Sequence, residues 1–200
     1  MDFILVRHVE TTANVQKRFS GISDVKYTPQ GEKQFIKLTH FLKKYSVDII
    51  YSSPLSRALR IAQKVGEETH TPVKIIKSLA ELNFGVFENL TFEEIQEKYY
   101  KEWMQWEQDA LNYQIPKGDS FLLFHKRIGV FLDSIKNKKG VCMIVTHGGS
   151  IQCSIAHLLD LSITDGWHFF VPLGGIVEIS YQENFGVLKS LVDFNKFSKR

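Results

Sequence analysis

The sequence predicts an α/β fold: a mostly parallel sheet covered by helices on both faces, closed by a hairpin, with a helical insertion over one end. Three observations predict it. Short, continuous apolar runs recur where the buried strands of a parallel sheet would lie. Stretches of helical spacing alternate with them along most of the chain. Near the end, two strand-like runs stand only a few residues apart.

Asp2 to Val6 is the first apolar run, Val47 to Tyr51 the second, and Val141 to Val145 repeats the type. Between the first two, Thr28-Pro29 supplies a cap followed by proline at the first helical position, where its missing N–H costs nothing. Phe35, Ile36, Leu38, Phe41 and Leu42 then keep helical spacing, which predicts a helix from Pro29 to Lys44. Ser53-Pro54 reads as the opening of another helix, with Leu55, Ala58, Leu59, Ala62 and Val65 on one face. Val73 to Ile76 is a third strand candidate. Thr91-Phe92-Glu93-Glu94 has the capping-box pattern, and Ser120 precedes the apolar series Phe121, Phe124, Ile128, Phe131, Leu132 and Ile135, so a helix starts at each. Ile176 to Tyr181 and Val187 to Val192, joined by Glu183-Asn184-Phe185-Gly186, predict the closing hairpin. Asn83 to Pro116 is rich in aromatic and charged residues and lacks strand signal. It reads as the helical insertion and as a lid or specificity region.

With 200 residues, no internal repeat and no linker, residues 1–200 are expected to form one domain. Apolar residues at 44% and charged residues at 24% exclude disorder, collagen-like repeats and coiled coil as overall descriptions. The apolar stretch Phe169 to Val177 is broken by Pro172, Gly174 and Gly175 and is far shorter than the roughly 18 residues of a membrane span. Met1 is followed by no basic segment and no cleavage site, so the expected compartment is the cytoplasm and no membrane partner is expected. Cys142 and Cys153 have neither a disulfide framework nor zinc spacing and read as buried free thiols. The net charge is only +3, and the basic residues are scattered except for Lys136 to Lys139 and the terminal Lys199 and Arg200. That argues against nucleic acid as a partner, and any anion site must be local.

Arg7-His8 leaves the carboxyl end of the first strand, where open α/β sheets place their ligands. An isolated pair of this kind is most often a capping or core histidine beside a surface arginine. His147-Gly148-Gly149 changes that reading, because it leaves the Val141 to Val145 strand in the same way, with a flexible, amide-rich turn beside its imidazole. Metal binding would need more ligands and no fixed positive charge nearby, and Arg7 opposes a dication. Arg57, one turn into the helix after the second strand, would alone be a solvated helical arginine. Beside two imidazoles, Arg7 and Arg57 instead suit a dianionic tetrahedral group, since each guanidinium can give two charge-assisted hydrogen bonds to phosphate oxygens. A neutral histidine can then attack phosphorus while arginines neutralise the oxygens. The proton donor should be a carboxyl group, and Glu81, set among apolar neighbours that would raise its pKa, is the candidate. On its own Glu81 would read as a surface carboxylate.

Leu5-Val6-Arg7-His8-Val9-Glu10-Thr11, Asn14, Ser20-Gly21 with Asp24, Thr28-Pro29-Gln30-Gly31 and Ser52-Ser53-Pro54-Leu55-Ser56-Arg57-Ala58 form an ordered series of motifs. Glu81 with Phe84-Gly85 and Glu88, Pro116-Lys117-Gly118-Asp119-Ser120 and His147-Gly148-Gly149 continue it. In order and spacing they resemble the histidine phosphatase superfamily, in its phosphoglycerate-mutase-like branch, over residues 3 to about 180. The resemblance implies a three-layer αβα sandwich and a small phosphorylated metabolite as partner, with no metal and no cofactor. It implies His8 as the phosphorylated nucleophile, and Arg7, Arg57 and His147 as the phosphate pocket. It further implies Glu81 as proton donor and later base, and Asn14, Ser20, Gly21 and Gly148 as substrate contacts. Val9 stands where the family usually has glycine, and Asp119 where it usually has glutamate.

The chain lacks the insertion and tail of the cofactor-dependent phosphoglycerate mutases, which favours a hydrolase over a mutase. Among shorter members it is most similar to α-ribazole phosphatases of cobalamin synthesis, in Glu81 to Glu88, in Trp103, Trp106 and Ile115-Pro116, and in Trp167-His168-Phe169. Phosphoserine and broad-specificity phosphatases are rival readings, a non-catalytic binding module is a third, and a homodimer is left open. Trp103, Trp106, Tyr99, Tyr100 and Tyr113 either line a nucleoside-sized pocket or simply pack the insertion onto the sheet.

Overall fold

The strands sort their side chains by parity, and that sorting builds two cores. The computed structural model describes residues 1–194, so Lys199 and Arg200 lie outside the described residues. In β1 (Asp2–Arg7), Phe3 and Leu5 face one side of the sheet while Ile4 and Val6 face the other. β2 (Ile49–Ser52) and β4 (Val141–Thr146) alternate in the same way, as successive residues of a strand must. All of these strands are buried on both faces, which explains their unbroken apolar character.

One face carries α2 (Pro29–Leu42) and α3 (Ser56–Thr69), which bring Phe35, Leu38, Leu42, Ala58, Ile61, Ala62 and Val65 onto Ile4, Val6, Ile50, Met143 and Val145. The other face carries α6 (Phe121–Asp133) and α7 (Gly148–Leu158), which bring Phe124, Ile128, Leu132, Ile151 and Ile155 onto Phe3, Leu5, Tyr51 and Ile144. The result is a helix–sheet–helix sandwich. With β3 (Val73–Ile75), β5 (Ile176–Gln182) and β6 (Phe185–Val192) the sheet has six strands in the order β3-β2-β4-β1-β5-β6. β3, β2, β4 and β1 are parallel neighbours, β5 runs antiparallel to β1, and β6 runs antiparallel to β5. The order places the carboxyl ends of β2, β4 and β1 side by side.

Three local expectations are corrected. Ser53-Pro54 does not open α3, which begins at Ser56 with Leu55 in the cap position and no side-chain cap bond. The hairpin turn is two residues, Glu183 and Asn184, both at positive φ (51° and 60°), so Phe185 and Gly186 belong to the strand. That geometry matches the right-handed twist of the paired strands better than a longer loop does. Gly148-Gly149 is not a turn but the first two residues of α7, a helix the sequence reading did not anticipate. A short helix, α1 (Thr12–Val15), was also unforeseen, because its capping box uses Asn14 rather than the usual Glu or Gln.

The stretch 83–116 is helical, with α4 (Phe92–Lys98) and α5 (Tyr100–Gln108). It has its own core of Phe87, Ile95 and Ile115, flanked by Phe19, Tyr99, Trp103, Trp106 and Tyr113. Its neck admits no side chain at Gly85, where φ is +52° and a Cβ would stand 2.2 Å from the Pro116 carbonyl oxygen. It docks through Phe19, whose main chain exchanges hydrogen bonds with Asn89 and Leu90 at 2.7 and 2.8 Å.

Candidate active site

Arg7 is the last residue of β1, His8 follows it, and His147 follows β4, the parallel neighbour of β1. The two imidazoles therefore meet, with ring centroids 5.3 Å apart at 60°. His8 is buried, and its Nδ1 lies 2.7 Å from the Val9 carbonyl oxygen. A carbonyl only accepts, so Nδ1 carries the hydrogen and Nε2 keeps its lone pair. Burial first, then the charges of Arg57 and Arg7, hold the His8 pKa well below the ordinary histidine value and keep the ring neutral.

Val9 is accommodated by the core: its side chain is fully buried with Ile4, Phe35 and Leu38, while its carbonyl holds His8. His147 is fully buried, with Nε2 2.7 Å from Ser53 Oγ and Nδ1 without a hydrogen-bond partner. Burial, then Arg57, His8, Arg7 and Arg127, push its pKa well down. Ser53, expected as a helix cap, is thus a partner of the second histidine. A lone serine before proline gives no sequence signal for that.

Both arginines are held by main-chain carbonyls. Arg7 donates through Nη1 to the Val171 carbonyl, and its buried Nε has no partner. Arg57, 2% exposed, donates to the carbonyls of Ser23 at 2.9 Å, Ser20 at 3.2 Å and Gly21 at 2.6 Å. Burial lowers the pKa of both guanidinium groups, partly opposed by the nearby carboxylate of Glu81. Charges so placed are poorly compensated, and an incoming dianion would stabilise them.

The loop that holds Arg57 is itself held by Glu88. Its carboxylate accepts from the main-chain N–H of Gly21, Ile22, Ser23 and Phe84 and from Ser23 Oγ, at 2.6 to 3.2 Å. Gly21, expected as a substrate contact, gives its N–H to Glu88 and its carbonyl to Arg57, whereas the buried Ser20 Oγ has no partner. Asn14 turns its amide oxygen to the N–H and Oγ1 of Thr11.

Glu81 lies beside the Phe124 ring but also takes polar partners that its sequence neighbours did not foretell. Its Oε2 accepts the Gly149 N–H at 3.0 Å, its Oε1 accepts the Leu82 N–H at 3.0 Å, and its charge acts on Arg7, Arg57 and Arg127. The segment carrying it is fastened from three sides. Thr146 Oγ1 donates to the Leu79 carbonyl at 2.6 Å, Ser150 Oγ donates to the Ala80 carbonyl at 3.3 Å, and Arg127 donates to the carbonyls of Ser78, Ala80 and Glu81. Arg127, on α6, was not foreseen, because a single arginine in a helix carries no pattern. Asp119 lies 3.8 Å from it and accepts the Asn83 N–H at 3.4 Å, so the residue in place of the usual glutamate ties α6 to the Glu81 segment.

Both glycines of α7 lie under a close approach by site side chains. A Cβ at Gly148 would stand 3.1 Å from Arg7 Cζ, and one at Gly149 would stand 2.6 Å from Glu81 Oε1. Among the described residues, no group of three or more His, Cys, Asp or Glu side chains is arranged to hold a metal ion.

Arg7, His8, Arg57, Glu81 and His147 thus form one cluster at adjacent strand ends, and residues 3–193 match the sequence pattern of the histidine phosphatase superfamily (branch 1). The chain belongs to that superfamily. It is 32% identical over 190 residues to the adenosylcobalamin/alpha-ribazole phosphatase of Salmonella typhimurium, covering 94% of each protein. The alpha-ribazole phosphatase structure from Shigella flexneri superposes with a TM-score of 0.89 at 30% identity, covering 96% of each chain. A phosphoserine phosphatase variant from Entamoeba histolytica, in complex with phosphoserine, superposes at 0.79 with 32% identity, covering 95% of each chain. Membership makes this histidine phosphatase an enzyme of the phosphatase class. Among the described residues no helix is long and apolar enough to cross a membrane.

Proposed function

We propose that residues 1–200 act as one catalytic domain that hydrolyses phosphomonoesters through a phosphohistidine on His8. The observation that carries this reading is the fixed tautomer of His8. With Nδ1–H given to Val9 O, the Nε2 lone pair is the free nucleophilic position, and the ring stays neutral among buried arginines.

Arg7, Arg57 and the unpartnered Nδ1 of His147 take the non-bridging oxygens, together with Ser20 Oγ, Asn14 and the Gly148 N–H at the start of α7. His8 Nε2 forms its bond to phosphorus as the ester oxygen leaves, and Glu81 gives that oxygen a proton. The Glu81 carboxylate then takes a proton from water, the hydroxide attacks phosphorus, and the Nε2–P bond breaks to release phosphate. The two arginines supply the positive charge that a metal supplies in other phosphatases.

For the substrate, we propose α-ribazole 5′-phosphate, which places the protein in cobalamin synthesis. Support comes from the full-length superposition on the Shigella flexneri alpha-ribazole phosphatase and the 32% identity to the Salmonella typhimurium protein. Phosphoserine is the second reading, favoured by equal identity to the Entamoeba histolytica phosphoserine phosphatase. Steady-state kinetics decide between them. The first reading expects a higher kcat/KM for α-ribazole 5′-phosphate than for phosphoserine or 3-phosphoglycerate, and preference for phosphoserine would contradict it.

A further inference from the structure

The aromatic rings of the insertion are occupied with one another. Trp103 and Trp106 meet at 5.0 Å, Phe19 lies 5.9 Å from Trp103 and 6.2 Å from Trp106, and Phe87 touches both indoles. Packing accounts for Trp103 and Trp106, although Phe92 and Tyr100 on the same insertion stay exposed. Exposed aromatic surface also lies on α6 and the 164–171 segment, next to the groups that hold Glu81 and Arg7.

A row of rings leads outward from Glu81. The Phe124 ring edge lies 3.2 Å from where a Gly149 Cβ would be, beside Glu81 Oε1. Phe124 packs on Phe121 at 5.6 Å, and Phe121 packs on Trp167 at 5.1 Å, each edge to face. Exposure rises along that row, from none at Phe124 to 43% at Trp167.

Phe170, 77% exposed, stands one residue from Val171, whose carbonyl holds Arg7, and four from Gly174, whose N–H donates to the His8 carbonyl at 3.0 Å. Phe169 and Val171 pack inward on either side of it. The segment is firmly seated. Gln152 Nε2 donates to the Phe169 carbonyl at 3.0 Å, and a Cβ at Gly166 would stand 2.7 Å from the Gln152 carbonyl oxygen. A wall fixed in this way loses little entropy when a ligand lies against it.

We infer that Phe121, Trp167 and Phe170 form the leaving-group wall of the phosphatase site, and that it selects monoesters whose organic part is a flat apolar or aromatic group. The inference rests on the proposed phosphatase reading: the ester oxygen must face Glu81, so the group attached to it continues past Glu81 along this row. Small, charged leaving groups such as serine gain nothing from such a surface. Large exposed apolar side chains beside a polar pocket are what a substrate of this kind needs.

The probes are 1-naphthyl phosphate and phosphoserine, and the readout is the ratio of their kcat/KM values. Phe170→Ala and Trp167→Ala should each lower the naphthyl-to-serine ratio by about tenfold, the scale of ring stacking measured by alanine substitution. Trp167→Phe should restore most of the ratio. Phe185→Ala, an exposed ring on β6, is the control that leaves the ratio as it is. A ratio unchanged in both alanine variants overturns the wall while leaving the phosphatase reading intact. Failure of the wild-type protein to hydrolyse either compound overturns the phosphatase reading and the wall with it.

Discussion

At the scale of single residues, reactivity here is a matter of what each group is denied. His8 makes one side-chain hydrogen bond, through Nδ1; Arg7 Nε and His147 Nδ1 are denied any, and both histidines are denied a proton by burial and by Arg57 and Arg7. Glu81 is the exception, since Gly149 and Leu82 fix both its oxygens. Its role predicts a dependence on the leaving group. Glu81→Gln should slow alkyl monophosphates by about 10²- to 10⁴-fold and nitrophenyl phosphate far less, because an activated leaving group needs little protonation. Equal falls for both would make Glu81 a positioning residue. Glu88 cannot take over the acid role without abandoning the five donors of the 21–23 loop and Phe84 that it holds.

At the scale of elements, α7 shows how a helix start is shaped by what approaches it. Alanine in place of a helical glycine normally stabilises by roughly 0.5–1 kcal/mol. At Gly149 the added Cβ would meet Glu81 Oε1 at 2.6 Å, the end of a side chain that can turn away, and the Phe124 ring edge at 3.2 Å, which needs to give by only a few tenths of an ångström. Gly149→Ala should therefore keep or raise the melting temperature while kcat for alkyl monophosphates falls on the order of ten- to a hundredfold through displacement of Glu81. A fall in melting temperature with kcat unchanged would contradict this. The strands, α2, α6 and the capping box of α4 were legible in the sequence because unbroken apolar runs, helical spacing and cap chemistry are local signals. α7 was not, although Ile151, Ile155 and Leu158 keep helical spacing, because paired glycines resemble a turn until Arg7 and Glu81 are seen against them. Arg7, His8, Arg57, Glu81 and His147, which the structure brings together, were singled out because each stands at a strand end or soon after one. Ser53 and Arg127 were not, since their partners lie 94 and 46 residues away in sequence.

At the scale of the whole molecule, the site places a cost on folding. The pKa of His8 and of His147 lies below the ordinary value of 6.5 in the folded protein, so below that pH the unfolded chain binds more protons. Stability from these two groups is fully present above their unfolded pKa and is lost as pH falls beneath it. The urea midpoint should therefore drop between about pH 7 and about pH 5, and the drop should shrink in His8→Asn. An unchanged slope in that variant would show that His8 is not neutral in the fold. The proposed catalytic cluster draws Arg7 and His8 from the end of β1, His147 from the end of β4, Arg57 from α3 after β2 and Glu81 from the segment after β3, and the strand order β2-β4-β1 brings these ends side by side. The most direct test of the whole account is rapid acid-free quenching of turnover with ³²P-labelled substrate, followed by peptide mapping. Label that is acid-labile, alkali-stable and confined to the peptide containing His8, and absent in His8→Ala, is the predicted result. Rapid turnover with no labelled His8 peptide, or hydrolysis by His8→Ala near the wild-type rate, would contradict it.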